Sequence, residues 1–357
     1  ELLIACAFNM LGLLLERRQL YQGAVEAFDI ALKLLNTSDD YTFHDMVCSN
    51  YGRVLVQLQH YEDAIQQYRE VKKADFITQC GIAIAYYKAN KFEEAYSAYE
   101  TALEWLAPTD GMKSHILVAM AAVAYLCQGV EDSKTLLFQC IKLRPPSVQG
   151  LFAFCSLGIL HSDITLAELA LKELIPHRDN PEYMSHIAVF KAYTHFLQGR
   201  SAEAVRALSS TVHRHPGQPS LWLALSLLLL HVYYQYKKSG AATCAEVAMF
   251  LGRSTMDVSK VMSLVSLSHL LTGKATESLR SSQKAVHMFP HIPENWVVLI
   301  ASFMPWCIYH KSAENTAWLK RLIGHVRRKL DATRQMNQWL SNHERKVTIL
   351  TEEYRKE

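Results

Sequence analysis

The sequence predicts an all-α fold, an α-solenoid in which antiparallel helix pairs stack in series as a right-handed superhelix. Three observations carry this. Half of the 357 residues are apolar while only 14 are Gly and 10 are Pro, a balance that favours helix over a turn-rich β architecture. Small and aromatic residues return together at a fixed period of about 34 positions, the mark of a repeat array. Pro146, Pro181 and Pro216 stand 35 residues apart, each read as stopping the second helix of a unit, because Pro cannot donate to the helical ladder.

The first unit, "FNMLGLLLERRQLYQGAVEAFDIALKLL", places Phe8, Leu11, Gly12 and Leu15 on one helix and Ala24, Phe28 and Ala31 on the next. The second, "CSNYGRVLVQLQHYEDAIQQYREV", repeats this with Tyr51, Gly52, Leu55, Ala64, Tyr68 and Val71. The third, "QCGIAIAYYKANKFEEAYSAYETAL", supplies Ile82, Ala83, Tyr86, Ala95, Tyr99 and Ala102. This is the tetratricopeptide pattern. Gly12, Gly52 and Ala83, with Ala24, Ala64 and Ala95, are small where two antiparallel helices must approach closely. A Leu there would overpack the pair at a cost of about 1 to 3 kcal/mol. Four residues after each Ala an aromatic falls on the same helix face and can fill the hollow against the next unit.

Residues 115–146 keep Ala122, Tyr125, Phe138 and Pro146, with Lys134 in place of the small residue, and residues 148–180 keep Cys155, Ala167 and Leu171 without the aromatic. The stretch "RHPGQPSLW" at 214–222 then returns as "MFPHIPENW" at 288–296. Pro216 ends one unit, Pro219 pre-forms the first turn of the next helix, and Trp222 takes the aromatic position. Pro290, Pro293 and Trp296 repeat this two units later. Upstream of each, "FLQGRSAEAVRAL" and "LLTGKATESLRSS" superpose across the turn between helices, and the repeat between them is stretched by "YKKSGAAT". Beyond Trp296 the pattern decays. Pro305 is expected to interrupt "LIASFMPWCIYH", and the two segments that follow are helical without landmarks. About nine units are expected over residues 1–330, in segments 5–107, 108–236 and 237–330, followed by a polar C-terminal helix over 331–357.

Composition and motifs bound the function. A net charge of +3 falls short of a strongly basic nucleic-acid footprint, so charge names no partner. The eight cysteines show no Cys-x-x-Cys spacing and read as small buried apolar side chains in a reducing compartment. The run at 221–236 is shorter than the roughly 20 residues a bilayer needs and carries Ser226, His231 and Gln235, so no membrane span is expected. The opening "ELLIACAFNMLG" has neither an initiator Met nor a basic leader, and reads as a piece of something longer. No phosphate loop, His-Glu-x-x-His, Gly-x-Ser-x-Gly or Gly-x-Gly-x-x-Gly occurs. The expectation is no enzyme, no cofactor and no small-molecule substrate. His213 with His215, and His287 with His291, sit beside prolines with no Cys or acid to complete a metal set, and read as solvated or capping.

First helices of such arrays line the inner wall, here Ile77, Ile84, Tyr87, Ile116, Val123, Leu126, Val189, Tyr193, Phe196, Leu223, Leu227 and Leu230. A largely apolar wall is expected to bury itself. The competing reading is a groove for a partner's apolar segment, carried by Tyr87, Tyr193, Phe196, Leu227 and Leu230. A clamp for a C-terminal carboxylate is not expected, because Leu13, Ile77 and Gly81 replace its polar residues and Asn50 alone matches.

Four stretches, "NYGRVLVQLQHYEDAIQQYREV", "KTLLFQCIKL", "GLFAFCSLGILHSDITLAELALKEL" and "LQGRSAEAVRALSSTVHRHPGQPSLW", resemble the C-terminal arm of the tetratricopeptide-repeat scaffold family of the superkiller (Ski) complex of animals. The resemblance covers residues 5 to 235 best. It implies a cytoplasmic location, with nuclear presence also compatible, and a non-catalytic scaffold. Its implied partners are a DExH RNA helicase and WD-repeat propeller subunits, in an assembly that feeds mRNA to the RNA exosome for 3′-to-5′ decay. A generic repeat adaptor of another cytoplasmic assembly is the alternative. The basic run "WLKRLIGHVRRKL" pairs Lys320 and Arg321 with Arg327 and Arg328 seven residues on, with no acid between 315 and 330. It is read as a solvated face or a contact to an acidic neighbour, with RNA backbone contact as the sharper alternative.

Overall fold

The computed structural model describes the chain except residues 36–40, 108–109, 144, 234–239, 254–256, 331–332 and 356–357. Among the described residues there are 19 α-helices and no strand, grouped in two compact units, Glu1–Leu174 and Ile175–Glu357. Gln235 and positions 236–239 of the expected insertion lie outside the described residues.

The first unit is built of pairs: α1 (Leu2–Arg17) with α2 (Tyr21–Leu35), α3 (Tyr41–Gln57) with α4 (Tyr61–Arg69), α5 (Phe76–Lys88) with α6 (Phe92–Glu104), α7 (Met112–Cys127) with α8 (Val130–Lys142), and α9 (Val148–Leu160) with α10 (Ile164–Leu174). Close approach is explicit at the glycines. A Cβ on Gly12 would lie 2.6 Å from the Phe28 ring, and one on Gly52 would lie 2.9 Å from Tyr68. Tyr68 also meets Gly81 of the following pair, where an added Cβ would fall 2.6 Å from the ring. Phe28 and Tyr68 are therefore each a wedge between their own first helix and the next one. Ala24, Ala64 and Ala95 are fully buried.

The turns between paired helices share one chemistry. In the first, Leu20 N–H donates to the Leu15 carbonyl and Gln19 N–H to that of Glu16, with Gln19 itself left-handed at φ 61°. The two bonds satisfy carbonyls that the helix end leaves free. Gln59, Asn90 and Ser162 take the same conformation in the second, third and fifth pairs.

The fourth turn closes with the same bond, from Gly129 N–H to the Ala124 carbonyl, and α8 starts at the next residue. The small positions of this pair lie one residue earlier than expected, at Ala121 and Ser133, 12 apart as in the other pairs, so the expectation for Lys134 is corrected. Lys134 instead reaches Glu131 at 3.3 Å and Asp163 at 3.5 Å. The same one-residue offset holds on α7, where Ala121 is buried in the small position, Ala122 is exposed, and Ile116 and Val123 are buried.

In the second unit, α11 (Met184–Leu197) pairs with α12 (Ser201–Arg214), α13 (Pro219–Tyr233) with α14 (Ala241–Leu251), α15 (Val258–Leu271) with α16 (Ala275–Met288), and α17 (Pro293–His310) with α18 (Ala313–Lys329), before α19 (Arg334–Tyr354). Gly199 and Gly273 hold the left-handed turn position at φ 77° and 81°, where Gly carries no Cβ penalty. The twin Pro-x-x-Pro-x-x-Trp motifs close identically. Trp222 Nε1–H donates to the Pro216 carbonyl at 2.8 Å and Trp296 Nε1–H to that of Pro290 at 2.7 Å. Pro219 and Pro293 open the helices that carry the tryptophans.

Two proline expectations are corrected. Pro181 stops no helix, since α10 has already ended at Leu174 and passed into a 3₁₀ turn, Ile175–His177, that contains Pro176. Pro305 interrupts nothing either, because α17 runs through it. The proline costs the Ala301 carbonyl its helical donor, but Ile300, Ser302 and Cys307 are buried around it and hold the helix in a core with Leu319, Ile323 and Leu340. In α15 and α16 the small positions are serines. Ser266 Oγ donates to the Ser278 carbonyl and Ser278 Oγ to that of Ser266, each at 2.8 Å, which satisfies hydroxyls that burial would otherwise penalise.

Candidate interaction surfaces

The apolar wall divides into an open part and a closed part. On α5, Ile77, Ile84 and Tyr87 share one face and are 67%, 42% and 36% exposed, which corrects the expectation that the wall buries itself here. Cys80 lies half-buried among them, and its thiol is pushed up to about 11 by burial and then by the Asp75 carboxylate. Tyr87 leans on Phe92 with ring centroids 6.0 Å apart, and Leu126 of α7 is also exposed.

In the second unit the wall is knitted shut. Tyr193 donates its hydroxyl to the Ala224 carbonyl at 3.3 Å, and burial pushes that phenol up to about 12. Phe196 meets His231 edge-on at 6.0 Å, and the His231 Nδ1 lies 2.8 Å from the Leu227 carbonyl. Leu227 and Val189 are half-buried, whereas Leu230 is buried and drops out of the partner-facing set. The difference is physical: Tyr193 and Phe196 of α11 reach the Ala224 carbonyl and the His231 ring of α13, while Ile77, Ile84 and Tyr87 of α5 stay exposed.

Asn50, the one residue that matches a carboxylate clamp, is occupied. Its Nδ2 donates to the Asn9 Oδ1 at 3.1 Å, and both side chains are buried between α1 and α3. Buried polar pairs of this kind are satisfied by each other.

The basic run separates into two. Arg327 is ion-paired with Glu344 of α19, the acidic-neighbour reading. Lys320, Arg321 and Arg328 instead face a cleft of about 330 Å³ between α18 and α19. Two features here escaped sequence reasoning. Arg355 joins the cleft from the far end of α19, a tertiary juxtaposition with no signal in spacing. An aromatic cluster also surfaces on α17 and α18, where Phe303 lies 5.3 Å from Trp306 and 4.9 Å from Trp318, with Tyr309 82% exposed. The aromatic-rich "FMPWCIYH" was the available signal, masked by the expectation that Pro305 breaks the helix.

Among the described residues no group of three His, Cys, Asp or Glu is placed to hold a metal ion, and no helix is long and apolar enough to cross a membrane. Cys48, Cys140, Cys155, Cys244 and Cys307 are buried thiols.

No protein-family model matches the chain. Among curated proteins it is 34% identical to tetratricopeptide repeat protein 37 of Xenopus laevis over 316 residues, covering 87% of this chain and 20% of that protein. It is 33% identical to superkiller complex protein 3 of Mus musculus over 303 residues, covering 84% of this chain and 19% of that protein. The chain thus spans about a fifth of the length of the curated relatives it matches. Among solved structures, a tetratricopeptide repeat protein from Parabacteroides merdae superposes with a TM-score of 0.56 at 14% identity, over 75% of this chain and 98% of that one. The fold is a tetratricopeptide-type α-solenoid.

Proposed function

We propose that this chain, a sequence relative of superkiller complex protein 3 across most of its length, is part of a non-catalytic scaffold in a superkiller-type complex. In this reading it holds a DExH RNA helicase and WD-repeat propeller subunits in the cytoplasm, for mRNA decay from the 3′ end by the RNA exosome. The observation that carries the reading is the identity of 32% to 34% over 84% to 87% of the chain. Repeat landmarks alone would leave most of the solenoid surface free to diverge.

A scaffold works by surface, and the open stripe of Ile77, Ile84 and Tyr87 is where an apolar partner segment would gain most from burial, at about 25 cal/mol per Å² of apolar area. The test is affinity purification of the tagged chain from cytosol with identification by mass spectrometry. Recovery of a DExH helicase and a WD-repeat protein is expected, reduced by Ile84→Asp with Tyr87→Ala while helicity by circular dichroism stays unchanged. Recovery of chaperones or motor subunits alone would overturn the reading.

A further inference from the structure

The geometry points to a second binding surface in the Ile175–Glu357 unit, shaped for single-stranded nucleic acid and laid along α18. It stands apart from the scaffold reading, since a chain that retains no helicase can still bind an oligonucleotide directly.

The first half of the surface is cationic. Lys320, Arg321 and Arg328 of α18 face Arg355 of α19 across the cleft of about 330 Å³. Among the described residues none of these four has an ion-pair partner. Two carboxylates also line the cleft, Glu344 and Glu352. Glu344 is already neutralised by Arg327, so the cleft keeps an excess of positive charge. Gly324 shapes its floor. A Cβ there would lie 3.2 Å from the Arg328 guanidinium, so the missing side chain is the space in which Arg328 folds back over the helix.

The second half is aromatic and adjoins the first through a shared wall. Trp296, Trp318 and His325 line a neighbouring pocket of about 320 Å³ whose cationic member is again Arg321. Trp296 and His325 lie with ring centroids 5.2 Å apart, and Trp318 is exposed. Along α18, Trp318, Arg321 and His325 fall on one face, beside the face of Lys320, Gly324 and Arg328, because residues three and four apart are neighbours on a helix.

A charged cleft beside flat aromatic faces is complementary to a polymer with an anionic backbone and planar uncharged side groups. Phosphates bind the guanidinium and ammonium groups, and a base stacks on Trp318 at the mouth of the aromatic pocket. Guanidinium is the suited donor because its planar fork matches phosphate oxygens in pairs. Double-stranded nucleic acid would keep its bases away from such a pocket, which selects for a single strand.

The test uses the purified full chain and a short fluorescein-labelled oligouridylate, with anisotropy measured across a salt titration. Binding is expected at low salt, weakening as salt rises. Arg321→Gln with Arg328→Gln lowers affinity about tenfold and flattens the log–log salt slope by about 1.4, about 0.7 for each of two phosphate contacts. Trp318→Ala lowers affinity about fivefold or more and leaves the slope unchanged. Circular dichroism monitors folding, and if the arginine pair variant loses helicity, Lys320→Gln with Arg355→Gln probes the same cleft from exposed positions. No binding at low salt, or wild-type binding by these variants, overturns the proposal. So does displacement of the oligonucleotide by polyglutamate at equal charge concentration, which would assign the cleft to an acidic protein segment.

Discussion

Alanine in place of glycine has opposite signs at two positions of the same helix hairpin. At Gly12 an added Cβ would sit 2.6, 2.7 and 2.9 Å from three atoms of the Phe28 ring. Carbon atoms at rest are about 3.5 to 4.0 Å apart, so the ring must retreat by nearly 1 Å. It has nowhere to go, because Phe28 is fully buried and its far side meets Tyr51 of α3 at 6.4 Å between centroids. Overpacking of this kind costs about 1 to 3 kcal/mol, against which Ala gains back about 1 kcal/mol over Gly in a helix. The expected net effect of Gly12→Ala is a loss of about 1 kcal/mol. At Gly23, on α2, the added Cβ would meet only Leu15, at 3.4 and 3.9 Å, which is ordinary contact. The propensity gain then stands alone, and Gly23→Ala stabilises by about 0.5 to 1 kcal/mol. Because repeat arrays unfold unit by unit, the assay is hydrogen exchange resolved to α1 and α2, supported by urea unfolding. Phe28→Leu added to Gly12→Ala recovers part of the loss, since the two residues are in contact and couple. Stabilisation by Gly12→Ala, or no coupling to Phe28, would refute the wedge argument.

Three more outcomes follow from the same contacts. Trp222→Phe and Trp296→Phe each lose one indole bond to a proline carbonyl and destabilise by a similar amount, about 0.5 to 1.5 kcal/mol, read by urea unfolding; clearly unequal effects would contradict the equivalence of the two junctions. Asp45 accepts from the backbone N–H groups of Lys72 and Lys73 at 3.0 and 2.9 Å, so Asp45→Ala leaves both unpaired, costs about 1 to 3 kcal/mol and speeds exchange at those two amides. Burial pushes the Cys48 and Cys155 thiols up to about 12, and those of Cys140 and Cys307 to about 11. These four therefore stay unlabelled by iodoacetamide at pH 8 until the chain unfolds, and their stabilising contribution, complete below about pH 9, declines as pH rises from there towards the folded values because the unfolded thiols ionise first.

The repeat landmarks were legible because each reports a local steric need. Gly12, Gly52, Ala24 and Phe28 are spaced by the helix period, and the period needs no tertiary information. The twin Pro-x-x-Pro-x-x-Trp motifs were legible as junctions, although the indole-to-carbonyl bond that closes them was not. Lys134 was misplaced because the fourth pair carries weak landmarks and its frame was set one residue late on both helices, where Ala121 and Ser133 hold the small positions; one residue rotates a helix by about 100°. Pro305 was misread because propensity yields to burial when a helix is held on both sides by a core. The candidate surfaces were the least legible part. Whether an apolar residue on a first helix is core or surface depends on what the facing helix carries, and Ile84 and Leu230 look alike in sequence.

By itself, then, the sequence determined the helical pairs, their order, and the small and aromatic positions that let them stack, since these follow from near-neighbour sterics along the chain. Tertiary structure alone decided which stretch of wall stays open on α5, that Arg327 is spent on Glu344, and that Arg355 completes a cationic cleft with residues of α18. Those outcomes depend on distances between groups far apart in the chain, and periodicity carries no record of them.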